Sequence, residues 1–279
     1  MLTLDHEYIR SIVGLRPKDC HKGSNGRGLI LAGSEGMAGA VVMCACAALR
    51  GGIGLLRVLC PSGVVPAFYA LPEAMVQPCG ESWRALDREI AAKLISWADC
   101  ICIGPGMGKD CADVVKAVLD CGKPVIVDAD GLNAVAEKNM QHLFHENAII
   151  TPHPGEMARL TGLTIKEITS APETIATEYA AKWNCTVLLK GAQSHIASHD
   201  GRTAQNASGN PGLAKGGSGD VLSGIILALL GQGLKPYDAA CAGAYILGAS
   251  ADRAMDILRE RMLMSRDVAA AIEDTLKGF

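Results

Sequence analysis

The chain has 279 residues, of which 49% are hydrophobic, and its formal net charge is −3 at pH 7. This length and composition allow one large α/β domain or two small ones, with a sizeable core. The mild acidity, together with the lack of any run rich in Lys and Arg, argues against a nucleic-acid-binding protein.

The distribution of apolar residues and cysteines excludes two further classes. No segment offers the roughly 18 uninterrupted apolar residues of a membrane span, and residues 1–22 are too mixed and charged for a signal peptide. The 11 cysteines include no CxxC pair, which indicates reduced thiols rather than a zinc site or a disulfide framework. We therefore expect a cytoplasmic protein without a membrane or nucleic-acid partner.

Short apolar strands alternate with helical patterns along most of the chain. The predicted strands are residues 28–32, 55–60, 100–103, 124–128, 148–151 and 186–190, with a helix at 40–50 and further helices between most of the others. Such alternation is typical of a parallel sheet covered by helices on both faces. Residues 194–198 and 202–205 then predict a hairpin. No repeat or linker divides the chain, so we predict one domain over residues 1–279.

The ends of these strands carry the unusual residues. The loops that follow them read GSEGMAGA (33–40), GPGMG (104–108), DAD (128–130), TPHPGE (151–156) and KGA (190–192). Ligands of open α/β sheets bind beyond the carboxyl ends of the strands, so these loops predict one site. The spacing of Gly33, Gly36 and Gly39 does not match the dinucleotide-binding pattern, and neither a P-loop nor a G-x-S-x-G elbow occurs.

Segment 209–222, GNPGLAKGGSGDVL, places five glycines ahead of Asp220. The apolar run 221–230 predicts a buried helix, so the glycines stand at its N-terminus. Unpaired backbone N–H groups and the helix dipole make such a terminus an anion site. From the residues alone, Asp220 is either a helix-capping carboxylate or a general base beside the bound anion.

Taken together, the motifs resemble those of a known family. HKGSNGRGLILAGS, GMAGA, IGPGMG, VDADGL, TPHPGE, LLKG and GNPGLAKGGSGDVLSG occur in an order and at spacings similar to the ADP/ATP-dependent NAD(P)H-hydrate dehydratases of the ribokinase-like superfamily. The resemblance covers roughly residues 20–250. It implies a three-layer ribokinase-like α/β fold, with a mostly parallel central sheet and helices on both faces.

The resemblance also implies a reaction. Members of the family dehydrate the S epimer of hydrated NADH or NADPH, a metabolite repair in which ADP is converted to AMP, or ATP to ADP, plus phosphate. Mg²⁺ is the implied cofactor and a homo-oligomer, favoured as a tetramer, the implied assembly. The companion epimerase is often fused at the N-terminus. Only about 20 residues precede the first motif here, so we expect that an epimerase, if the cell has one, is supplied by a separate protein.

Site residues follow from the resemblance position by position. Asp220 is the expected general base, and Glu156 is expected to serve Mg²⁺ through a water molecule. The expected substrate contacts are Ala40, Gly106, Gly108, His153, Asn210 and Asp220. The expected nucleotide contacts are Lys190, Gly191, Ala192, Gln193, Ser194, Gly216, Gly217, Ser218 and Gly219.

Alternatives stay open at several of these positions. His153 stands where related kinases have Asn, which suggests a different acceptor, but between two prolines it could be only a rigid loop residue. Lys190 could be merely solvated and Asn210 merely a turn residue. Lys215, where Thr or Gly is expected, would add a cation near the phosphate.

Asp128 and Asp130 either cap the helix near Leu132 or belong to the site. Two other functions also remain on this fold: a kinase of a vitamin precursor or sugar, and a nucleotide-binding protein without turnover.

Overall fold

The strands of the protein were located in a computed structural model, which describes residues 1–14, 16, 19–255 and 259–279. They are β1 (Leu2–Thr3), β2 (Arg27–Leu31), β3 (Leu55–Cys60), β4 (Met75–Pro78), β5 (Cys100–Ile103), β6 (Val125–Val127), β7 (Ala148–Ile150), β8 (Thr186–Leu189), β9 (Ser194–Ala197) and β10 (Thr203–Asn206).

The helices connect these strands and complete the C-terminal part. They are α1 (His6–Val13), α2 (Ala38–Arg50), α3 (Arg88–Trp97), α4 (Ala112–Leu119), α5 (Asp130–Glu137), α6 (Pro154–Thr161), α7 (Ile165–Ser170), α8 (Pro172–Trp183), α9 (Ser218–Gly231), α10 (Pro236–Ala254) and α11 (Ser265–Leu276). Among the described residues, no helix combines the length and the apolarity needed to cross a membrane.

All the strands lie in one sheet with the order β1-β10-β9-β8-β7-β6-β5-β2-β3-β4. Strands β2 to β8 are parallel to one another, while β9 runs antiparallel to both β8 and β10. The predicted α/β class, the mostly parallel sheet and the hairpin are therefore confirmed. Sequence analysis missed β1 and β4, two short strands at the sheet edges whose apolar pattern is too brief to detect.

Two hydrophobic cores cover the two faces of the sheet. Alternate residues of a strand enter different cores, so Ile30 faces the core shared by α2, α9, α10 and α11, whereas Leu29 and Leu31 face the core shared by α3 to α8. The central strands are buried on both faces and read as nearly continuous apolar runs. This arrangement leaves the loops at the carboxyl ends of the strands as the surface available for a site.

Helix α9 is buried along most of its length. Every residue from Val221 to Leu230 is buried, as the apolar run predicts. Gly224 lets α9 approach α2 closely, because a Cβ at that position would lie only 2.2 Å from the carbonyl oxygen of Cys44. The packing fixes the N-terminus of α9 rigidly beside the sheet.

Candidate active site

The loops after β2 and β5 meet where the winding of the sheet reverses. From β2 the chain continues to β3 and β4 on one side, whereas β5 to β8 lie on the other side. A crevice forms at such a switch point in open α/β sheets. Here the Ser34 hydroxyl donates a hydrogen bond to the Gly106 carbonyl at 2.8 Å, and the Gly33 N–H donates to the Pro105 carbonyl at 2.8 Å. The two loops therefore form one wall.

Ala40 and Gly106, two of the expected substrate contacts, lie side by side in this wall. Gly106 has φ +61°, and a Cβ there would lie 3.0 Å from the Cβ of Ala40. A side chain at position 106 would thus be strained and crowded. The third expected contact, Gly108, donates its N–H to Asp130 Oδ2 at 2.8 Å. The structure brings these three residues together, while their contact with substrate stays a prediction.

The glycine-rich segment leads directly into α9, as the sequence predicts. Gly217 is the N-cap with φ +96°, and no side chain caps the helix. Ser218, Gly219 and Asp220 form the first turn, so the backbone N–H groups there have no intrahelical partners. This open helix terminus can receive an anion.

Asp220 lies in this turn and its carboxyl group is perturbed. Its pKa is raised from 3.8 to about 7, mainly by burial and then by the negative charge of Asp128, with a smaller contribution from Asp130 and an opposing effect of Lys190. A carboxylate with a pKa near neutrality can accept a proton efficiently at physiological pH. Asp220 is the third residue of α9 and not its N-cap, which is Gly217, and its raised pKa supports the general-base interpretation, which stays a prediction.

A buried charged cluster stands beside this turn. Lys190 Nζ lies 2.9 Å from Asp128 Oδ1 and 3.8 Å from Glu156 Oε2, and its side chain is 22% exposed. Burial lowers the pKa of Lys190, but the charges of Asp128 and Glu156 outweigh that effect and the net pKa is raised. A Cβ on Gly219 would lie 3.5 Å from Lys190 Nζ. Lys190 is therefore a paired cation at the anion site, not a solvated surface residue.

Neither Asp128 nor Asp130 provides the N-cap hydrogen bond of α5. The N-cap is Ala129, at φ +48°, and it has no side-chain cap. Asp128 is buried and accepts hydrogen bonds from Lys190 and from the Ser223 hydroxyl, whereas Asp130 accepts from the Gly108 N–H. The strained backbone at Ala129 sends the two carboxylates toward different parts of the site.

His153 is the N-cap of α6, a role that sequence analysis did not identify. Its Nδ1 accepts hydrogen bonds from the N–H groups of Gly155 at 3.0 Å and Glu156 at 3.4 Å, and Glu156 Oε2 accepts from the His153 N–H at 2.8 Å. This capping box leaves Nε2 of the half-exposed imidazole 3.4 Å from Glu156 Oε1. His153 is thus held by the helix start, with one ring edge still facing the site.

A cleft of about 810 Å³ extends from the N-terminus of α9. Seven of the nine expected nucleotide contacts line it: Lys190, Gly191, Ala192, Ser194, Gly216, Ser218 and Gly219. Gln193 and Gly217 do not line it. His153 and Asn210, expected to contact the substrate, line this cleft too. The expected substrate contacts are therefore divided between the cleft and the switch-point wall.

Several polar side chains around the cleft serve the loop itself. Asn210 accepts from the Gly212 N–H and donates to Asp252 Oδ1, so it holds the turn as the turn interpretation requires. Lys215 donates to the carbonyls of Arg261 and Leu263. Two of the three ammonium donors of Lys215 are therefore used within the protein, and because Lys215 lines the cleft, an extra cation near the phosphate stays a prediction.

Two supporting serines were missed by sequence analysis. The Ser265 hydroxyl, at the start of α11, donates to the Gly216 carbonyl at 2.8 Å, and the Ser223 hydroxyl anchors Asp128 at 2.9 Å. Ser223 could have been noticed as a lone polar residue in the apolar run of α9. Ser265 left no sequence signal, because its partner is 49 residues away.

Comparison with known proteins gives a consistent result. A family model described as NAD(P)H-hydrate dehydratase matches residues 28–273. A bifunctional NAD(P)H-hydrate repair enzyme of Moorella thermoacetica is 42% identical over 98% of this chain and 53% of its own length. An ADP-dependent (S)-NAD(P)H-hydrate dehydratase of Bacillus subtilis is 34% identical over 98% of this chain and 97% of its own.

Solved structures agree with the sequence matches. The Bacillus subtilis ADP/ATP-dependent NAD(P)H-hydrate dehydratase, co-crystallised with ATP/Mg²⁺, superposes with a TM-score of 0.86 at 31% identity, covering 99% of this chain and 98% of that one. The chain spans about half the length of the bifunctional relatives that it matches.

Proposed function

The chain belongs to the NAD(P)H-hydrate dehydratase family, and we propose that it uses ADP or ATP to remove water from the S epimer of hydrated NADH or NADPH. One observation carries the proposal at the level of the site: the Asp220 carboxyl group, with a pKa raised to about 7, lies in the first turn of α9 beside an open anion site. This arrangement supports a phosphoryl transfer in which an acceptor hydroxyl must lose its proton.

In the proposed reaction, each part of the site has its own role. The nucleotide lies in the cleft with its terminal phosphoryl group at the N-terminus of α9, and the hydrated nicotinamide ring lies against the wall formed by Ala40 and Gly106. Asp220 accepts the proton of the ring hydroxyl as that oxygen bonds to phosphorus and the bond to the nucleotide leaving group breaks. The N–H groups from Gly216 to Gly219 hold the charge on the phosphoryl oxygens.

The second half of the reaction removes the phosphorylated hydroxyl. The lone pair of the ring nitrogen expels phosphate, a far better leaving group than hydroxide, and loss of a proton from the adjacent ring carbon restores the dihydronicotinamide. The products are NADH or NADPH, phosphate, and AMP or ADP. A general base of this kind contributes about 10²–10⁴-fold to the rate.

The charges around the site fit a Mg²⁺ ion carried with the nucleotide. Asp128 and Glu156 carry two negative charges against the one positive charge of Lys190, so a polyphosphate chain needs a further cation. No group of three metal-ligating side chains occurs in the described part of the chain. Glu156 is the residue that would hold the ion, through water and with phosphate oxygens as the other ligands. The ion would neutralise the phosphate charge.

The wider setting also remains a proposal. We place the protein in the cytoplasm, because all eleven cysteines are free thiols, as expected in a reducing compartment. The single domain over residues 1–279 is supported by the one continuous sheet. The homo-oligomer stays a prediction that sedimentation of the purified chain would test.

One assay tests the function. Purified protein is mixed with hydrated NADH, Mg²⁺ and either ADP or ATP, and the return of reduced-nicotinamide absorbance is followed alongside phosphate release. We expect the two signals to rise together in a one-to-one ratio. Phosphate release without the absorbance would indicate a kinase or a nucleotide hydrolase, and nucleotide binding without either signal would indicate a binding protein.

A further inference from the structure

Asp128 is the least exposed charged residue next to the candidate active site. Its side chain is 2% exposed, Oδ1 accepts from Lys190 Nζ at 2.9 Å, and Oδ2 accepts from the Ser223 hydroxyl at 2.9 Å. Ser223 lies on buried helix α9 and Asp128 directly follows central strand β6. The carboxylate is therefore clamped between two rigid elements.

The location of this carboxylate is costly for a protein that binds phosphate. A Cβ on Gly219 would lie 3.8 Å from Asp128 Oδ2 and 3.5 Å from Lys190 Nζ. A buried negative charge so close to an anion site repels the anion, and burial itself disfavours the charge. A compensating benefit should involve Lys190, the cation that Asp128 contacts.

We infer that Asp128 is a positioning residue that fixes the Lys190 ammonium beside the N-terminus of α9, where it contacts the terminal phosphate of the bound nucleotide. A lysine side chain has several rotatable bonds, and holding it in one rotamer before binding reduces the entropy lost on binding. Glu156 Oε2, at 3.8 Å, is too far to fix it alone. The inference rests on the proposed nucleotide site.

The experiment is a double-mutant cycle on nucleotide binding. The dissociation constant of ADP with Mg²⁺ is measured by calorimetry for the unmodified chain, Asp128→Asn, Lys190→Gln and the double variant. Asparagine keeps the shape of the aspartate but not its charge. In the unmodified background we expect Asp128→Asn to weaken ADP binding about tenfold, because Lys190 is released.

With Lys190→Gln already present, the same substitution should no longer weaken ADP binding. No ammonium remains to be positioned, so removing the Asp128 charge only relieves repulsion, and ADP binding should be unchanged or up to about threefold tighter. Equal losses in both backgrounds would mean that Asp128 only supports the fold, and tighter binding in both would mean that it only repels the anion. Either result overturns the inference.

Two further variants keep the test decisive. Asp130→Asn removes a carboxylate two positions away that contacts the Gly108 N–H and not Lys190, and ADP binding should stay within about twofold. If Asp128→Asn does not fold, Ser223→Ala takes its place, because it removes only the hydrogen bond from Ser223 to Asp128. It should weaken ADP binding about threefold when Lys190 is present and leave ADP binding unchanged in the Lys190→Gln background. If Ser223→Ala has the same effect on ADP binding in both backgrounds, the inference is refuted. A chain that binds ADP but fails to dehydrate hydrated NADH would refute the proposed function alone.

Discussion

Asp220→Asn separates the two interpretations of this residue by the sign of its effect on stability. In the folded protein the pKa of Asp220 is raised from 3.8 to about 7, first by burial and then by the charge of Asp128. The folded state therefore binds the proton more tightly than the unfolded state. Stability falls as the pH rises from about 4 to about 7 and stays low above that range.

The magnitude follows from the size of the shift. A shift of about three pKa units corresponds to about 4 kcal/mol at 1.36 kcal/mol per unit, an upper limit because asparagine also loses hydration in this position. At pH 8 we expect the free energy of unfolding of Asp220→Asn to exceed that of the unmodified chain by up to about 4 kcal/mol. Near pH 4 the difference should vanish, because the aspartate is then neutral in the folded protein.

The same substitution should reduce turnover by about 10²–10⁴-fold, as loss of a general base does. In the unmodified chain kcat/KM should rise with pH and reach half its maximum near pH 7. At pH 5 about one site in a hundred is ionised, so kcat/KM should be about 50-fold lower than at pH 7.

Urea unfolding at pH 4, 6 and 8 measures the stability of each variant. Asp238→Asn is a matched control, because Asp238 occupies the third position of α10, as Asp220 does in α9. Asp238 lies 3.6 Å from Arg202. The control substitution should be neutral or destabilising at pH 8. If Asp220→Asn also loses stability at pH 8, by the roughly 0.3–1 kcal/mol that a negative charge in the first turn of a helix contributes, and keeps its turnover, Asp220 only stabilises the start of α9 and the base must be sought elsewhere.

Three further perturbations test the rest of the site. In Gly219→Ala the added methyl group fits the protein, because it would lie 3.5 Å from Lys190 Nζ, but it would cover the anion site. ADP affinity should therefore fall at least about tenfold while stability is kept. The control Gly39→Ala, also in open space in a first helical turn, should bind ADP normally. His153→Ala should lose about 1 kcal/mol of stability because the α6 cap is lost, whereas His153→Asn should not, because asparagine is a good cap. Both variants should raise the KM for the hydrated dinucleotide roughly tenfold. An unchanged KM would mean that His153 only caps α6. Chelation of Mg²⁺ should abolish turnover and its return should restore it; full activity in chelator would exclude Glu156 as a metal-serving residue.

The sequence by itself determined the central strands, helix α9 and the position of the glycine-rich loop. These features depend on local patterns, because a buried parallel strand and a buried helix are apolar along their own length. The glycines ahead of Asp220 indicated an open helix N-terminus for the same reason, since backbone geometry and helix dipole are properties of adjacent residues.

The tertiary structure alone decided which polar groups face one another. Asp128 and Lys190 are 62 residues apart, and Lys215 is 48 residues from Leu263. No local pattern could therefore predict the ion pair between Asp128 and Lys190 or the hydrogen bond from Lys215 to the Leu263 carbonyl. His153 was expected only to read the substrate or stiffen a loop, yet α6 begins beside it and makes it a cap. The raised pKa of Asp220 likewise arises from burial and from Asp128, which come together only when β6 and α9 pack. Contacts between distant residues depend on the path of the whole chain, and that path is fixed by packing.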